Sequence, residues 1–480
     1  MGASWATEEV RSANLRDRRL NRRLVEVLSQ LAARPAASIP AACGGRAEMA
    51  AAYRLFANAK GGFENLLAPH LEATCQRIAA ESVVVLAQDT TEVELTRPTQ
   101  QVAGAGPLDG GSRQGALLHE LHAFTPDGTP LGTVAAAAWA RDPQPQGTRP
   151  TRSQRAATPI EQKESRRWLQ TWELACRRAA QWPATQVIVV ADSEADVYEY
   201  LAAASVAPPC DWVVRAAQDR ALAGDAAAGN KRLFAELERQ PVLFRQAIVV
   251  RGRRVKISCE TRARRQPRQS RRAEVDVHAA EVELRPPRRA GGRLPATTIR
   301  AALVREVDPP AGEEPVQWLL LTSLPVASAE QVRRVIEYYC VRWMIEVFFR
   351  VLKSGCRIEE RQFDSLDRLL ACLAVYLIVA WRTLYVCRLG RSHPDVDCEA
   401  VFEPCEWKSV WKVVRREDPP AHPPPLGVMV RLVAQLGGYV DSRHPPGPQT
   451  LWIGLQRTHD FALCWELFGP RDNSQKDTCV

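Results

Sequence analysis

The chain has 13 cysteines, an odd number, and no CxxC pair among them. A disulfide framework or a cysteine-built zinc site is a poor fit to that pattern, and a reducing compartment is a good one. No basic-then-apolar leader opens the sequence. The longest apolar stretch, Leu369 to Trp381, is bracketed by Arg368 and Arg382 and is too short to span a bilayer, so it reads as a buried helix. The expectation is a cytoplasmic protein with no membrane contact. No internal repeat is present. His119-Glu120-Leu121-His122 is one residue short of a zinc helix motif, and on a strand its two histidines point to opposite faces. Cys398 and Cys405 are too isolated for a metal site.

At 480 residues the chain suits two or three domains. It is 46% hydrophobic and 25% charged, in the ordinary range for a folded protein. The formal charge of +9, carried mostly by arginine, favours an acidic partner such as nucleic acid.

Residues 1–80 read as helical. Leu20, Leu24, Val27, Leu28 and Leu31 recur at helical spacing, with Arg18, Arg19, Arg22 and Arg23 on the opposite face. A second helix is predicted over Ala47 to Asn58. At Ser82 the pattern changes to a short β-branched run that leads into Gln88-Asp89-Thr90-Thr91. Leu117–Phe124 and Pro130–Trp139 flank Thr125-Pro126-Asp127-Gly128, a hairpin turn. Residues 141–158 read as a loop, Glu161–Ala180 as a helix, and Gln186–Ala191 as a buried strand ending at Asp192, with a helix from Glu194.

From about 208 to 325 the chain is strand-rich, with strands predicted at 212–214, 247–251, 255–258, 274–278, 281–284, 299–307 and 316–322. Lying between two α/β parts, this looks like an inserted β region. Within it, 251–272 holds ten Arg or Lys against a single acid, Glu260, a balance a polyanion offsets. Ser328, with Gln331 placed for a capping box, opens a long helix that Gly355 can end. The apolar helix at 366–388, a loop near 391–405, a proline cluster at 419–425 and a last apolar helix through Leu426, Met429, Val433 and Leu436 complete the chain.

Asp89 and Asp192 each follow a β-branched run, and carboxyl ends of strands are where α/β proteins build sites. Two such carboxylates side by side repel unless a cation lies between them, and hard oxygen donors suit Mg²⁺ or Mn²⁺. An aspartate after a strand is also a common helix N-cap. The helix carrying Tyr339, Arg342, Trp343, Glu346 and Lys353 decides between these. At about 100° per residue, Arg342, Glu346 and Lys353 fall within roughly 40° of one another, with Tyr339 close by. Ile345, Phe348, Phe349 and Leu352 take the neighbouring sector, for packing on a sheet. Three carboxylates can hold two metals about 4 Å apart for in-line phosphoryl transfer, with Arg342 and Lys353 on phosphates.

Tyr339-x2-Arg342-x3-Glu346-x6-Lys353 resembles the YREK signature of DDE transposases in the insertion-sequence-four family. The likeness is spread over nearly the whole chain, through Leu15-x-Asp17-x-Arg19, Arg23-Leu24-Val25, Ala52-Tyr53-Arg54, Gln88-Asp89-Thr90-Thr91, Asp192-Ser193-Glu194-Ala195-Asp196, Trp318 to Ser323, Leu436 to Tyr439 and Thr450-Leu451-Trp452. Ser193 stands where the family usually has Arg, which puts a supporting contact in doubt and leaves the acid in place. The resemblance implies a ribonuclease H-like α/β core, residues 81–395, with the β insertion at about 208–325. A helical end-binding domain at 1–80 and a helical dimerisation domain at 396–480 would flank it. It implies two Mg²⁺ or Mn²⁺ ions on Asp89, Asp192 and Glu346, and no organic cofactor. The activity implied is cut-and-paste transposition: nicking, hairpin formation and opening, and strand transfer by a homodimer holding transposon ends and target DNA. Tyr339, Arg342, Lys353, Trp318, Trp343, Arg215, Arg19, Arg22, Arg23 and Arg54 are the implied DNA contacts, Trp318 and Trp343 as stacking partners of a flipped base. Asp196 and Glu194 read as caps or supports. Two other functions remain open: a transposase-derived repressor that binds without cutting, and a metal-dependent nuclease without strand transfer.

Overall fold

A computed structural model describes the chain apart from residues 1–3, 98–100, 111, 144–153, 155–157, 207–208, 225–230, 251, 253–267, 290–291, 441–443 and 471–480. The expected strand at 255–258 and most of the basic stretch 251–272 lie outside the described residues.

The N-terminal helices are α1 (Trp5–Glu9), α2 (Arg18–Ala33), α3 (Ile39–Ala42), α4 (Arg46–Phe56) and α5 (Phe63–Ala79). Asp17 caps α2 by accepting the Arg19 N–H, which satisfies one of the amides a helix start leaves unpaired. Leu24, Val27, Leu28 and Leu31 are buried, as their spacing predicts.

The core sheet comprises β1 (Val83–Glu94), β2 (Gly106–Pro107), β3 (Gln114–Phe124), β4 (Pro130–Trp139), β5 (Gln186–Ala191) and β6 (Asp211–Arg215). Helix α6 (Arg166–Ala179) precedes β5 and α7 (Tyr198–Ala204) follows it. Strand β3 pairs antiparallel with both β4 and β1, and β1, β5 and β6 run parallel. The order β4-β3-β1-β5-β6, two antiparallel pairings followed by two parallel ones, is a ribonuclease H-like core. The predicted hairpin is there, with Gly128 in the turn at a φ of 84° that glycine adopts without strain.

After α8 (Leu233–Glu238) come β7 (Phe244–Val250), β8 (Arg271–Leu284), β9 (Thr297–Glu306) and β10 (Gln317–Thr322). These strands are not a separate layer. β10 pairs with β6, and β9, β8 and β7 follow outward, so the whole forms one ten-stranded sheet. β6, which the sequence places inside the inserted region, belongs to the core. The two strands predicted over 274–284 are one, because Ala279-Ala280 between them carries no breaker.

Helices α9 (Ala329–Val341) and α10 (Trp343–Arg350) follow, then a π-helical turn, Val351–Gly355. The Ser328–Gln331 capping box forms as predicted. Helix α11 (Leu366–Ser392) is long and apolar enough to cross a membrane, yet most of it is buried inside the protein against α5, β4 and the C-terminal helices. Those are α12 (Pro404–Arg415), α13 (Leu426–Leu436) and α14 (Pro448–Phe468). The expected loop near 391–405 gives way to α12 at Pro404, a residue suited to the first turn of a helix.

Candidate functional site

The site lies where β1 and β5 face α10. In the parallel β1–β5 ladder Gln88 pairs with Ala191, so Asp89 and Asp192 come next in register on neighbouring strands. Strand β1 does not stop at Asp89 but runs on to Glu94, because its continuation pairs with β3. Asp192 does leave its strand. It caps a short 3₁₀ turn, Ser193–Ala195, by accepting the Glu194 N–H at 2.8 Å.

Glu346 comes from the helix opposite. Ile345, Phe348 and Phe349 bury the adjoining face of α10, as their spacing predicts, and this holds Glu346 toward the strands. Arg342 joins the two sides. Its Nη2 donates to Glu346 Oε1 at 2.6 Å and its Nη1 to Asp89 Oδ2 at 3.3 Å. Burial pushes the Asp89 carboxyl up to about 7; the neighbouring Asp192 charge adds to the rise, and Arg342 offsets part of it.

That balance bears on metal binding. Among the described residues no three Asp, Glu, His or Cys side chains stand close enough to share one ion. The donor set nonetheless fits a hard divalent cation. The charges of Asp192 and Glu346 are felt by the buried Asp89, one guanidinium bridges Asp89 and Glu346, and Asp89 is penalised for its charge, all of which a divalent cation would relieve.

Tyr339, Arg342, Trp318, Trp343 and Arg215 line one cavity of about 490 Å³ beside the acids. Tyr339 is buried under Arg342, whose guanidinium carbon lies 5.8 Å from the ring centre. Trp343 stands 44% exposed, so of the two tryptophans it is free to meet a ligand without leaving a core. The helix breaks after Val341 and widens at Val351 into the π turn that holds Lys353, whose ammonium pairs with Glu359 at 3.4 Å. Gly355 ends that turn, and it is small because Trp452 packs against it, a Cβ there meeting the indole at 3.0 Å.

Arg19, Arg22 and Arg54 are exposed on the N-terminal helices, and Arg23 pairs with Glu26 at 2.8 Å. Asp196 is a support, as its position suggests: it is buried and accepts from the Ala217 and Gln218 amides and from Arg220.

The sequence reading missed Arg167. From α6 its Nε donates to Thr90 Oγ1 at 3.0 Å and its Nη2 to Glu194 at 3.1 Å, so one guanidinium ties the neighbours of both aspartates. His119 shares the Thr90 hydroxyl at 2.8 Å. An arginine in an amphipathic helix carries no local signal of such a role.

A transposase DNA-binding family matches residues 2–60, a transposase DDE domain family residues 162–381, and a transposase Tn5 dimerisation domain family residues 378–465. Taken together, the matches are similar, in order, to the DNA-binding, DDE and dimerisation domains of Tn5-type transposases. The DDE match includes Asp192 and Glu346 and begins after Asp89. Among solved structures, a cryo-electron microscopy structure of the piggyBac transposase synaptic complex with hairpin DNA matches 68% of this chain at 10% identity, with a TM-score of 0.33. This chain spans about half of that protein's length, 52%.

Proposed function

We propose that the protein is a cut-and-paste DNA transposase that nicks transposon ends, forms and opens a hairpin, and joins the ends to target DNA. The observation that carries this reading is the placement of Asp89 and Asp192 just beyond the paired Gln88 and Ala191 of two adjacent parallel strands, with Glu346 opposite and Arg342 bridging Asp89 and Glu346. Asp89, Asp192 and Glu346 would hold two Mg²⁺ or Mn²⁺ ions, which supply Lewis-acid activation of the attacking and leaving oxygens. With the acids held by a cation, the Arg342 guanidinium would be free to grip a phosphate of the scissile strand.

The cavity beside the acids suits an unstacked base. Trp318 and Trp343 offer aromatic faces, and Arg215 and Arg342 on the same lining would meet its phosphates. Lys353 is held by Glu359 and would reach DNA only by giving up that pair. The exposed Arg19, Arg22 and Arg54, with Arg23, would hold the ends through their phosphates. The domains would follow the order expected from sequence: end binding at 1–80, catalysis at 81–395, dimerisation at 396–480. Leu463, Leu467 and Phe468 stand 41%, 74% and 83% exposed along the end of α14, an apolar strip suited to a second copy of the chain.

The test is incubation with Mg²⁺ and a plasmid carrying the DNA that flanks the coding region on both sides. Nicked ends, hairpins and joined products are the expected result. Linear ends without hairpins would mark a nuclease, and binding without cutting a repressor.

A further inference from the structure

A continuous line of buried polar groups crosses the protein from α1 to the strand beside Asp89. At its outer end Glu9, 6% exposed, takes two hydrogen bonds from Arg77, both at 2.9 Å, and one from His70 Nδ1 at 2.5 Å. The other nitrogen of His70 accepts the Thr133 N–H at 3.1 Å, which fixes the ring as the neutral form protonated on Nδ1. The Thr133 hydroxyl donates to Glu120 Oε1 at 2.6 Å, and His122 Nδ1 meets the same oxygen at 2.8 Å. His70, Thr133, Glu120 and His122 are wholly buried.

Such a line is a costly way to fill a core, since apolar side chains of the same volume pack there at no polar desolvation cost. Its inner end shows what it holds. Glu120 is the register partner of Asp89 on the adjacent antiparallel strand, so the two side chains leave the same face of the sheet. The His122 ring lies 4.5 Å from the ring of Phe348, which sits two residues beyond Glu346 on α10. The β3–β4 register shifts between Leu121 and His122, a bulge that re-aims side chains at this point. Glu120 Oε2 and His122 Nε2 are buried without a partner, so hydrogen-bonding capacity is left unused in the space between β3 and α10.

We propose that Glu120 and His122 are positioning residues for the acids. Through Thr133 and His70 they tie the seating of α1 to the separation of β1 and α10, and so to the grip of Asp89 and Glu346 on a divalent ion. The inference rests on the metal-binding reading above. Groups that orient ligands without touching the ion commonly change metal affinity by about 10–100-fold when removed.

The experiment is Mn²⁺ titration calorimetry on the full chain, with thermal melting of each variant. Asp89→Ala identifies binding at the acids. Thr133→Val keeps the side-chain volume and removes the hydroxyl; Glu120→Leu removes the acceptor. Each is expected to weaken Mn²⁺ binding by about 10-fold or more, while Thr133→Ser and Glu120→Gln, which keep the donor and the acceptor, stay close to the parent. Should Glu120→Leu fail to fold, the Thr133 pair carries the test. Unchanged affinity in folded Thr133→Val, or equal loss in Thr133→Ser, would overturn the inference alone. A parent protein with no Mn²⁺ site sensitive to Asp89→Ala would overturn the metal reading and the inference with it.

Discussion

Arg342 lies 2.6 Å from Glu346 and occupies, in the absence of a cation, the electrostatic role a cation would take among the acids. It reaches Asp89 as well, at 3.3 Å. Removing it leaves two partly buried carboxylates without their counter-charge. Arg342→Ala is expected to lower metal-free stability by about 1–3 kcal/mol. Added Mn²⁺ should raise the melting temperature of the variant more than that of the parent. Equal Mn²⁺ shifts in the two proteins would contradict the shared place of guanidinium and cation.

The cavity makes a separate prediction. Base stacking on an aromatic ring contributes about 1–3 kcal/mol. Trp318→Ala and Trp343→Ala should therefore slow hairpin formation by about tenfold or more and leave the first nick nearly unchanged. Denaturing gels of end-labelled DNA resolve the two steps. Loss of nicking in step with hairpins would assign the tryptophans to the fold instead.

End binding should report the exposed arginines through salt. For every phosphate a variant no longer neutralises, the slope of log K against log salt falls by about 0.9. Arg22→Ala and Arg54→Ala should each flatten the slope by that amount, whereas Arg23→Ala should do less because Arg23 already pairs with Glu26. An unchanged slope in all three would remove the N-terminal helices from the DNA interface.

Acid stability should depend on Glu9. Burial raises its carboxyl, but the charge and hydrogen bond of His70, with the hydrogen bonds and charge of Arg77, outweigh this and hold it at about 2, against 4.5 for an unperturbed glutamate. The folded value is the lower one, so the stabilisation is present above about 4.5 and is lost as pH falls toward about 2. Burial holds His70 below its ordinary value and neutral at pH 7, consistent with its accepting the Thr133 amide. In Glu9→Gln, unfolding free energy measured by denaturant titration should fall less steeply over that acid range. A parallel pH dependence would show that another group carries the effect.

Much of this was legible in the sequence because it depends on local pattern. The β-branched runs before Asp89 and Asp192, the capping box at Ser328 and the apolar sector around Glu346 all form as their spacing implies. What was not legible depends on partners distant in the chain. Strand β1 runs past Asp89 because β3 pairs with it, and the inserted strands join the core sheet because β10 pairs with β6. The π turn that holds Lys353 is likewise something an even 100° per residue does not anticipate. Arg167, Glu120 and His122 come beside the neighbours of the acids only through strand pairing and packing, where sequence spacing carries no information.

The central claim is that Asp89, Asp192 and Glu346 together carry out metal-dependent cutting of DNA. The most direct measurement is strand cleavage of the flanking DNA with Mg²⁺ by the parent and by Asp89→Asn, Asp192→Asn and Glu346→Gln, with end binding measured in parallel. The account predicts that each substitution abolishes cleavage and that all three proteins bind the ends as the parent does. Cleavage at the parental rate in any one of them would contradict it.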